Sequence, residues 1–393
     1  MYKVIIFFCI FVNFWGVFLM MKLGWVDSDA YIAQPNFYYR ETIIELAFVS
    51  FILLFYALFC FKVKRYSVEL EVALKNKKLI YILFSVFLVM SLMSVNFGLD
   101  NSTRGQGQFE LENRGGMVGL LSNIGLFVVP FSIFVLLTKP FGKHNTFMLS
   151  ALLLVTLMSN ITTGGRRNIV YVLIFLLLYF YYFRAISFKK VFYYSLPIIL
   201  LFPITIAMRN ADALMMLANA DFIPLLGSSI LGTNSDPSFI WQVKDYIRNG
   251  VDLSPFTFMG HFYSIFLPNF LLVSIFNQLS YERATFTFDT LFNSNPDQGY
   301  DFMVLADFYW SFGYLGYFLF IALIVWCLHF FKTKIYSHKL YEIIGAFLVV
   351  IFICQQRNDF GAVLKPFVYS YIFSIILVKL CVAKFNISIK NHA

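Results

Sequence analysis

The chain alternates between long apolar runs and shorter polar connections. Because a helix needs about 20 predominantly apolar residues to cross the hydrocarbon core of a bilayer, these runs predict membrane-spanning helices. They are predicted at 4–21, 43–61, 79–97, 117–138, 146–161, 169–183, 191–207, 309–329, 341–356 and 363–383. The predicted fold is therefore all-α, a polytopic integral membrane protein of about ten spans in which residues 1–393 form a single domain.

The longest polar interruption, 208–306, is predicted to be one large external loop between the seventh and eighth spans. Within it, Phe262–Asn277 is apolar but short, and it contains Pro268. An eleventh span there would move the basic connection 332–339 to the other side of the membrane, against the preference of cationic loops for the cytoplasm. We therefore expect a short interfacial or re-entrant helix at this point.

The composition excludes a water-soluble enzyme. The chain is 60% hydrophobic and only 13% charged, whereas soluble domains carry about 25% charged residues. Its five cysteines lie within or beside apolar runs and show no paired short spacing. This pattern predicts neither a disulfide framework nor a metal site.

The charges indicate how the chain is oriented. There are 30 lysines and arginines against 21 acidic residues, a net charge of +9. The cationic clusters, beginning with Phe61–Lys78, fall on one side of the ten-span topology. The positive-inside rule assigns that side, and with it both termini, to the cytoplasm. The basic balance is therefore explained by topology and does not predict a nucleic-acid partner.

Most arginines, unlike most lysines, fall on the predicted external side. Two of them, Arg166 and Arg167, occupy the turn Thr162–Asn168 (TTGGRRN), which has no acidic residue nearby in the sequence. A planar guanidinium suits bidentate contact with phosphate, and Gly164 and Gly165 would let a phosphate approach the backbone closely. The turn predicts a diphosphate-binding site, and contact with lipid headgroups is the alternative.

A few other external residues could complete such a site. Arg209 closes the seventh span, and Arg357 lies in the turn QQRNDFG, where Asp359 could neutralise it. Asp307, at the start of the eighth span, is a candidate catalytic base, and a structural ion pair is the alternative. His261 in the large loop could also act as a base near neutral pH, although a lone histidine is more often structural.

Several motifs are absent from the sequence. It contains no Walker A loop, no glycine-rich nucleotide-binding fingerprint and no zinc-spaced cluster of histidine and cysteine. No cofactor and no metal are therefore predicted.

An acidic pair, Asp27 and Asp29, is similar to the pair that membrane glycosyltransferases of the GT-C class carry after their first helix.

These features resemble the bacterial O-antigen polymerase (Wzy-type) family of oligosaccharide repeat-unit polymerases. The resemblance rests on the TTGGRRN turn that runs into an apolar helix, on Gly299–Gly316 (GYDFMVLADFYWSFGYLG) after the large loop, and on the layout of the spans. Asp307 stands where the family segment more commonly has glutamate.

The resemblance implies an enzyme of the bacterial inner membrane. It would polymerise undecaprenyl-diphosphate-linked oligosaccharide repeat units into O-antigen or a related surface polysaccharide at the periplasmic face, by glycosyl transfer without a cofactor. A polysaccharide chain-length regulator is a candidate partner. The residues expected to bind diphosphate are Arg166, Arg167, Arg209 and Arg357, and the candidate bases are Asp307 and His261.

Three alternatives remain at this point. An O-antigen ligase would share the layout and the external arginines. A GT-C-type glycosyltransferase would use the Asp27/Asp29 pair. A flippase for lipid-linked oligosaccharides would need polar residues along its spans at mid-membrane, whereas the charges here gather at the external rim.

Overall fold

The protein is predominantly helical. The computed structural model describes residues 10–23, 37–64, 66–101, 125–163, 167–184, 186–187, 189–190, 193, 196, 238–250, 303–354 and 360–390. The helices are α1 Gly16–Lys22, α2 Tyr39–Phe55, α3 Lys77–Asn101, α4 Gly125–Thr138, α5 Asn145–Thr163, α6 Arg167–Tyr182, α7 Ser238–Arg248, α8 Val304–Phe312, α9 Tyr314–Lys334, α10 Leu340–Cys354 and α11 Phe360–Cys381. A π-helical turn, Phe11–Trp15, precedes α1, and another, Tyr56–Cys60, continues α2.

Four of these helical segments are long and apolar enough to cross a membrane. They are Tyr39–Cys60, Lys77–Asn96, Tyr314–Lys334 and Val363–Cys381. Shorter apolar helices occupy Gly125–Thr138, Tyr171–Tyr182 and Leu340–Cys354. The span predicted at 191–207 lies almost entirely outside the described residues, and the predicted re-entrant helix Phe262–Asn277 lies wholly outside them.

The surface of α2 fits a lipid environment. Its exposed side chains include Ile44, Phe48, Phe51 and Phe55, which recur every three or four residues and therefore share one side of the helix. A continuous apolar surface of this kind marks a contact with lipid or with another protein. The opposite side of α2, which includes Leu46, Val49 and Leu53, is buried in the protein core.

A two-stranded antiparallel sheet departs from the predicted all-α fold. Strand β1, Ser67–Leu74, pairs with β2, Val382–Lys390, so that Ser67 lies opposite Lys390. The sequence of β1, SVELEVAL, alternates apolar and polar residues, as a half-buried strand requires. β2 follows α11 without an intervening residue, and the sheet packs under the end of the helical bundle.

The bundle has two distinguishable ends. We call the end at which α2 begins, with Glu41 and Glu45, the glutamate end. At the opposite end, which we call the sheet end, the amide of Val68 in β1 donates to the carbonyl of Phe183 over 3.3 Å. There the hydroxyl of Tyr336, after α9, also donates to the carbonyl of Lys64 over 3.0 Å.

A sharp break separates α8 from α9, inside the segment predicted as one span at 309–329. Gly313 has φ +59° and ψ −140°, a conformation open essentially to glycine alone. Three residues later, a Cβ placed on Gly316 would lie only 2.1 Å from the carbonyl oxygen of Phe308. The two glycines of the Phe-Gly-x-x-Gly segment therefore have separate tasks: one turns the chain, and the other lets α8 and α9 meet.

Gly316→Ala is expected to lower the free energy of unfolding by about 1–3 kcal/mol, the usual cost of overpacking, because the clash is with backbone that cannot rotate away. Chemical denaturation of the purified protein in mixed micelles would measure the change. Leu315→Ala on the same turn is the control, since Leu315 is 59% exposed and its truncation should change stability by about 0.5 kcal/mol or less. Equal stability of the two variants would contradict the close-approach explanation.

Candidate functional site

Asp307 lies fully buried in α8 at the glutamate end of the bundle. Its Oδ2 accepts a hydrogen bond of 2.9 Å from the backbone amide of Phe360, the first residue of α11. The first amides of a helix have no partner within the helix and carry a partial positive charge, so a carboxylate there is favourable. Asp307 therefore fixes where α11 begins.

Aromatic packing supports this junction. The ring centre of Phe308, next to Asp307, lies 5.3 Å from that of Phe360. The ring centre of Phe352, near the end of α10, lies 6.4 Å from that of Phe360. The ends of α8, α10 and α11 thus meet around Phe360. In the sequence, the segment that contains Arg357 connects α10 to α11.

The start of α6 belongs to the same region. Arg167 is the first residue of α6, and Tyr171, one turn later, lines a narrow cavity of about 20 Å³ together with Phe352 and Val363. The helix that begins at Arg167 therefore shares this cavity with α10 and α11, the two helices that the segment containing Arg357 connects in the sequence. Arg166, Arg209, Arg357 and His261 themselves lie outside the described residues.

A buried ion-pair cluster also occupies the glutamate end. The ammonium of Lys244 in α7 lies 2.6 Å from each carboxylate oxygen of Glu45 and 3.2 Å from Oε1 of Glu41. The Lys244 side chain is 2% exposed, that of Glu45 14% and that of Glu41 40%. Since an isolated charge would be costly to bury, the three side chains depend on one another.

Three tyrosines complete this cluster. Tyr317 donates its hydroxyl to Oε2 of Glu45 over 2.6 Å, and Tyr314 donates to Oε1 of Glu41. The ammonium of Lys244 also lies 5.3 Å from the ring centre of Tyr309, within the range of a cation–π contact. The cluster thereby joins α2, α7, α8 and α9.

Helix α7 is anchored to the start of α2 by aromatic contacts as well. Trp241 is fully buried, and its ring lies 5.3 Å from that of Tyr39. The guanidinium of Arg248 lies 5.3 Å from the ring of Phe37. This segment of the long polar loop is therefore docked on the bundle through both charged and aromatic side chains.

The sequence prediction missed this cluster, although a signal was present. Glu41 and Glu45 are spaced i, i+4 at the start of an apolar run, which places both carboxylates on one side of a helix. Charges in that position require a partner. The partner could not be named because Lys244 is separated from Glu45 by 199 positions in the sequence.

Comparison with known proteins identifies the family. The family model described as O-antigen polysaccharide polymerase Wzy matches residues 1–386. No curated protein and no solved structure matches the chain. The apolar helices agree with the transmembrane character of that family. The chain therefore belongs to the O-antigen polysaccharide polymerase Wzy family, integral membrane proteins that polymerise O-antigen repeat units.

Proposed function

We propose that this protein is a glycosyltransferase that moves the growing glycan from undecaprenyl diphosphate to the next lipid-linked repeat unit. The reaction takes place at the periplasmic face of the bacterial inner membrane. The glutamate end faces the periplasm, because the cationic segment Phe61–Lys78 at the sheet end belongs in the cytoplasm. Both termini are then cytoplasmic, and the chain crosses the membrane about ten times.

The observation that carries the proposal is the convergence of helix ends around Phe360. Tyr171 near the start of α6, Phe352 near the end of α10 and Val363 near the start of α11 line one narrow cavity, and the sequence attaches Arg166, Arg167 and Arg357 to those helix ends. A helix N-terminus favours an anion through its free amides and its dipole. A diphosphate bound between α6 and α11 would be contacted by the free amides at both helix N-termini and by the arginine side chains.

In this mechanism the arginines bind the donor diphosphate and stabilise the charge that develops on its leaving oxygen, with Arg209 as a further contributor. Preorganised donors aimed at developing charge are often the largest single catalytic contribution. Asp307 or His261 removes the proton from the attacking hydroxyl of the acceptor sugar. The glycosidic bond to the diphosphate breaks as the bond to the acceptor oxygen forms, and undecaprenyl diphosphate is released.

Replacing Arg166 and Arg167 together by lysine is expected to reduce polymer synthesis about tenfold or more, because lysine keeps the charge but loses the bidentate fork. The measurement is the yield and length of polymer in a deletion strain that expresses the variant at wild-type level. Arg248→Lys is the matched control, since Arg248, at the end of α7, contacts the rings of Phe37 and Tyr38 just before α2. Undiminished polymer from the double variant would contradict diphosphate binding by this turn.

Deletion of the gene tests the reaction itself. Loss of a polymerase is expected to leave a single repeat unit attached to the lipid core, since the ligation step is untouched. Loss of a ligase would instead leave the core without any repeat. Gel analysis of lipopolysaccharide from the deletion strain distinguishes the two results, and a core that carries no repeat would overturn the proposed function.

A further inference from the structure

A positively charged residue lies inside the last apolar helix. Lys365 belongs to Val363–Cys381, one of the helical segments that are long and apolar enough to cross a membrane. Its side chain is half-buried, and its ammonium lies 5.9 Å from the ring centre of Tyr369, one turn further along α11. A charged residue within a span is costly and usually marks a functional contact. The mechanism proposed above does not use Lys365.

Lys365 lies on the side of α11 opposite the narrow cavity that α11 shares with α6. The α11 residues that line this cavity include Val363 and Phe367. At 3.6 residues per turn, Lys365 lies about 200° around the helix axis from each of them. A contact made by Lys365 is therefore separate from the donor diphosphate that we place between α6 and α11.

An apolar stripe continues from Lys365 along the same side of α11. Ile372, Ile376 and Leu380 are exposed, and Tyr369 fills the turn between Lys365 and Ile372. These five residues, which we call the Lys365 stripe, follow one another at intervals of three or four positions and so share one side of the helix. From Lys365 to Leu380 the stripe is about 22 Å long, whereas half the thickness of the hydrocarbon core is about 15 Å.

Aromatic contacts place other helices on both sides of the stripe. Phe373 and Tyr371 are the two chain neighbours of Ile372, so they project to opposite sides of it. The ring centre of Phe373 lies 6.0 Å from that of Phe87 in α3, and the ring centre of Tyr371 lies 6.5 Å from that of Phe330 in α9. The stripe is therefore the floor of an apolar track between α3 and α9.

The charge and the length of the track both indicate its occupant. Side chains on a helix tilt toward its N-terminus, so the Lys365 ammonium lies toward the glutamate end, the periplasmic side of the proposed function. An anionic headgroup on that side would meet the ammonium while its apolar tail followed the stripe. The tail of a phospholipid in one leaflet ends near the middle of the membrane, but the stripe continues past it. A longer polyprenyl chain fits the whole stripe.

We propose that the Lys365 stripe holds the acceptor, the lipid-linked repeat unit to which the growing glycan is transferred. This inference rests on the proposed function, which requires two undecaprenyl diphosphate lipids at the same time. The ammonium of Lys365 contacts the acceptor diphosphate, and the polyprenyl chain follows Ile372, Ile376 and Leu380. The acceptor diphosphate keeps all its bonds during transfer, so a single point charge is enough to hold it. The donor diphosphate develops charge as it leaves, which is the task of preorganised arginines.

Native mass spectrometry of the purified full-length protein with added undecaprenyl diphosphate tests the site by counting bound lipids. The wild type is expected to bind two. Lys365→Gln should weaken one site about tenfold or more, as expected for loss of a charge-assisted contact, and Lys365→Arg should restore it. Lys379→Gln, which removes an exposed cation at the other end of α11, is the matched control and should bind two. Two lipids on Lys365→Gln would overturn the proposal.

The same measurement separates this proposal from the proposed function. Arg166→Gln combined with Arg167→Gln should retain one lipid, and adding Lys365→Gln should remove it. If the arginine variant kept both lipids, the diphosphate role of the arginine turn would fail while the assignment of Lys365 would stand. Loss of both lipids from the arginine variant would indicate one shared site and would overturn a separate site at Lys365.

Competing lipids identify what the track recognises. Phosphatidylglycerol in large excess should not displace undecaprenyl diphosphate from the arginine variant, in which only the Lys365 stripe is left. Farnesyl diphosphate, which has the same headgroup on a shorter isoprenoid chain, should bind more weakly there. Displacement by phosphatidylglycerol would indicate a general site for anionic lipids, and equal affinity for farnesyl diphosphate would exclude a role for the stripe. Either result would overturn the polyprenyl assignment.

Steady-state kinetics test the assignment to the acceptor. With preformed lipid-linked polymer as the donor, Lys365→Gln should raise the KM for the lipid-linked repeat unit about tenfold and leave kcat unchanged. A contact to the end of a substrate that does not react is equally strong before and during the reaction. A fall in kcat without a change in KM would place Lys365 at the reacting diphosphate and overturn the acceptor assignment.

Discussion

Lys244→Met is expected to lower the free energy of unfolding by about 3–5 kcal/mol, the usual cost of removing one partner from a buried ion pair. Methionine keeps most of the length of the side chain but leaves the carboxylate of Glu45, which is 14% exposed, without its ammonium. The hydroxyl of Tyr317 remains as a donor to Glu45. It supplies a hydrogen bond without the positive charge.

Denaturation of the purified variant in mixed micelles measures this loss. Lys189→Met serves as the control, since Lys189 is exposed and an exposed substitution changes stability by about 0.5 kcal/mol or less. In combination with Glu45→Gln, Lys244→Met should cost less than the sum of the two single changes, by about 0.5–3 kcal/mol. Strict additivity would contradict a direct role for the pair.

Asp307→Asn is expected to reduce polymer synthesis about 10²–10⁴-fold if Asp307 is the base that deprotonates the acceptor hydroxyl. The asparagine oxygen can still accept the amide of Phe360, which Asp307 now holds at 2.9 Å. The start of α11 should therefore remain in position, and only the proton acceptor is lost. Polymer yield in the deletion strain, together with the unfolding curve, separates these two properties.

Asp307→Ala is the companion variant, because it removes the hydrogen-bond acceptor as well. It should lower the free energy of unfolding by about 0.5–1.5 kcal/mol more than Asp307→Asn, the usual value of a neutral hydrogen bond. Full polymer synthesis by Asp307→Asn would restrict Asp307 to holding the helix start and would leave His261 as the candidate base.

Hydropathy predicted most of the helical framework because each apolar run must be buried in lipid or protein. It could not predict the break at Gly313, because apolar residues continue on both sides of it. Hydropathy averaged over a stretch of sequence carries no information on the backbone angle φ of one residue. The Phe-Gly-x-x-Gly segment was recognised by resemblance. Its physical basis is the close approach of the Gly316 backbone to the carbonyl of Phe308, which only the folded structure shows.

The sheet and the ion-pair cluster were missed for a different reason. The alternation of apolar and polar residues in SVELEVAL indicates a strand. It lies, however, in the connection Phe61–Lys78, whose cationic residues were interpreted only as a sign of membrane orientation. The partner strand and the partner lysine lie far away in the sequence, at Val382–Lys390 and Lys244. Periodicity describes a segment by itself, and contacts between distant segments require the folded chain.

The pairing of β1 with β2 has a consequence for how the chain is completed. β1 precedes α3, whereas β2 follows α11, so most of the helices are synthesised between the two strands. Contacts between such distant segments form late, because the intervening loop must first be closed. Until β2 has been synthesised, the edge of β1 that it covers has no strand beside it, and an open edge invites pairing with other chains. Pairing with β2 is therefore a closing step that waits until α3 to α11 have all been made.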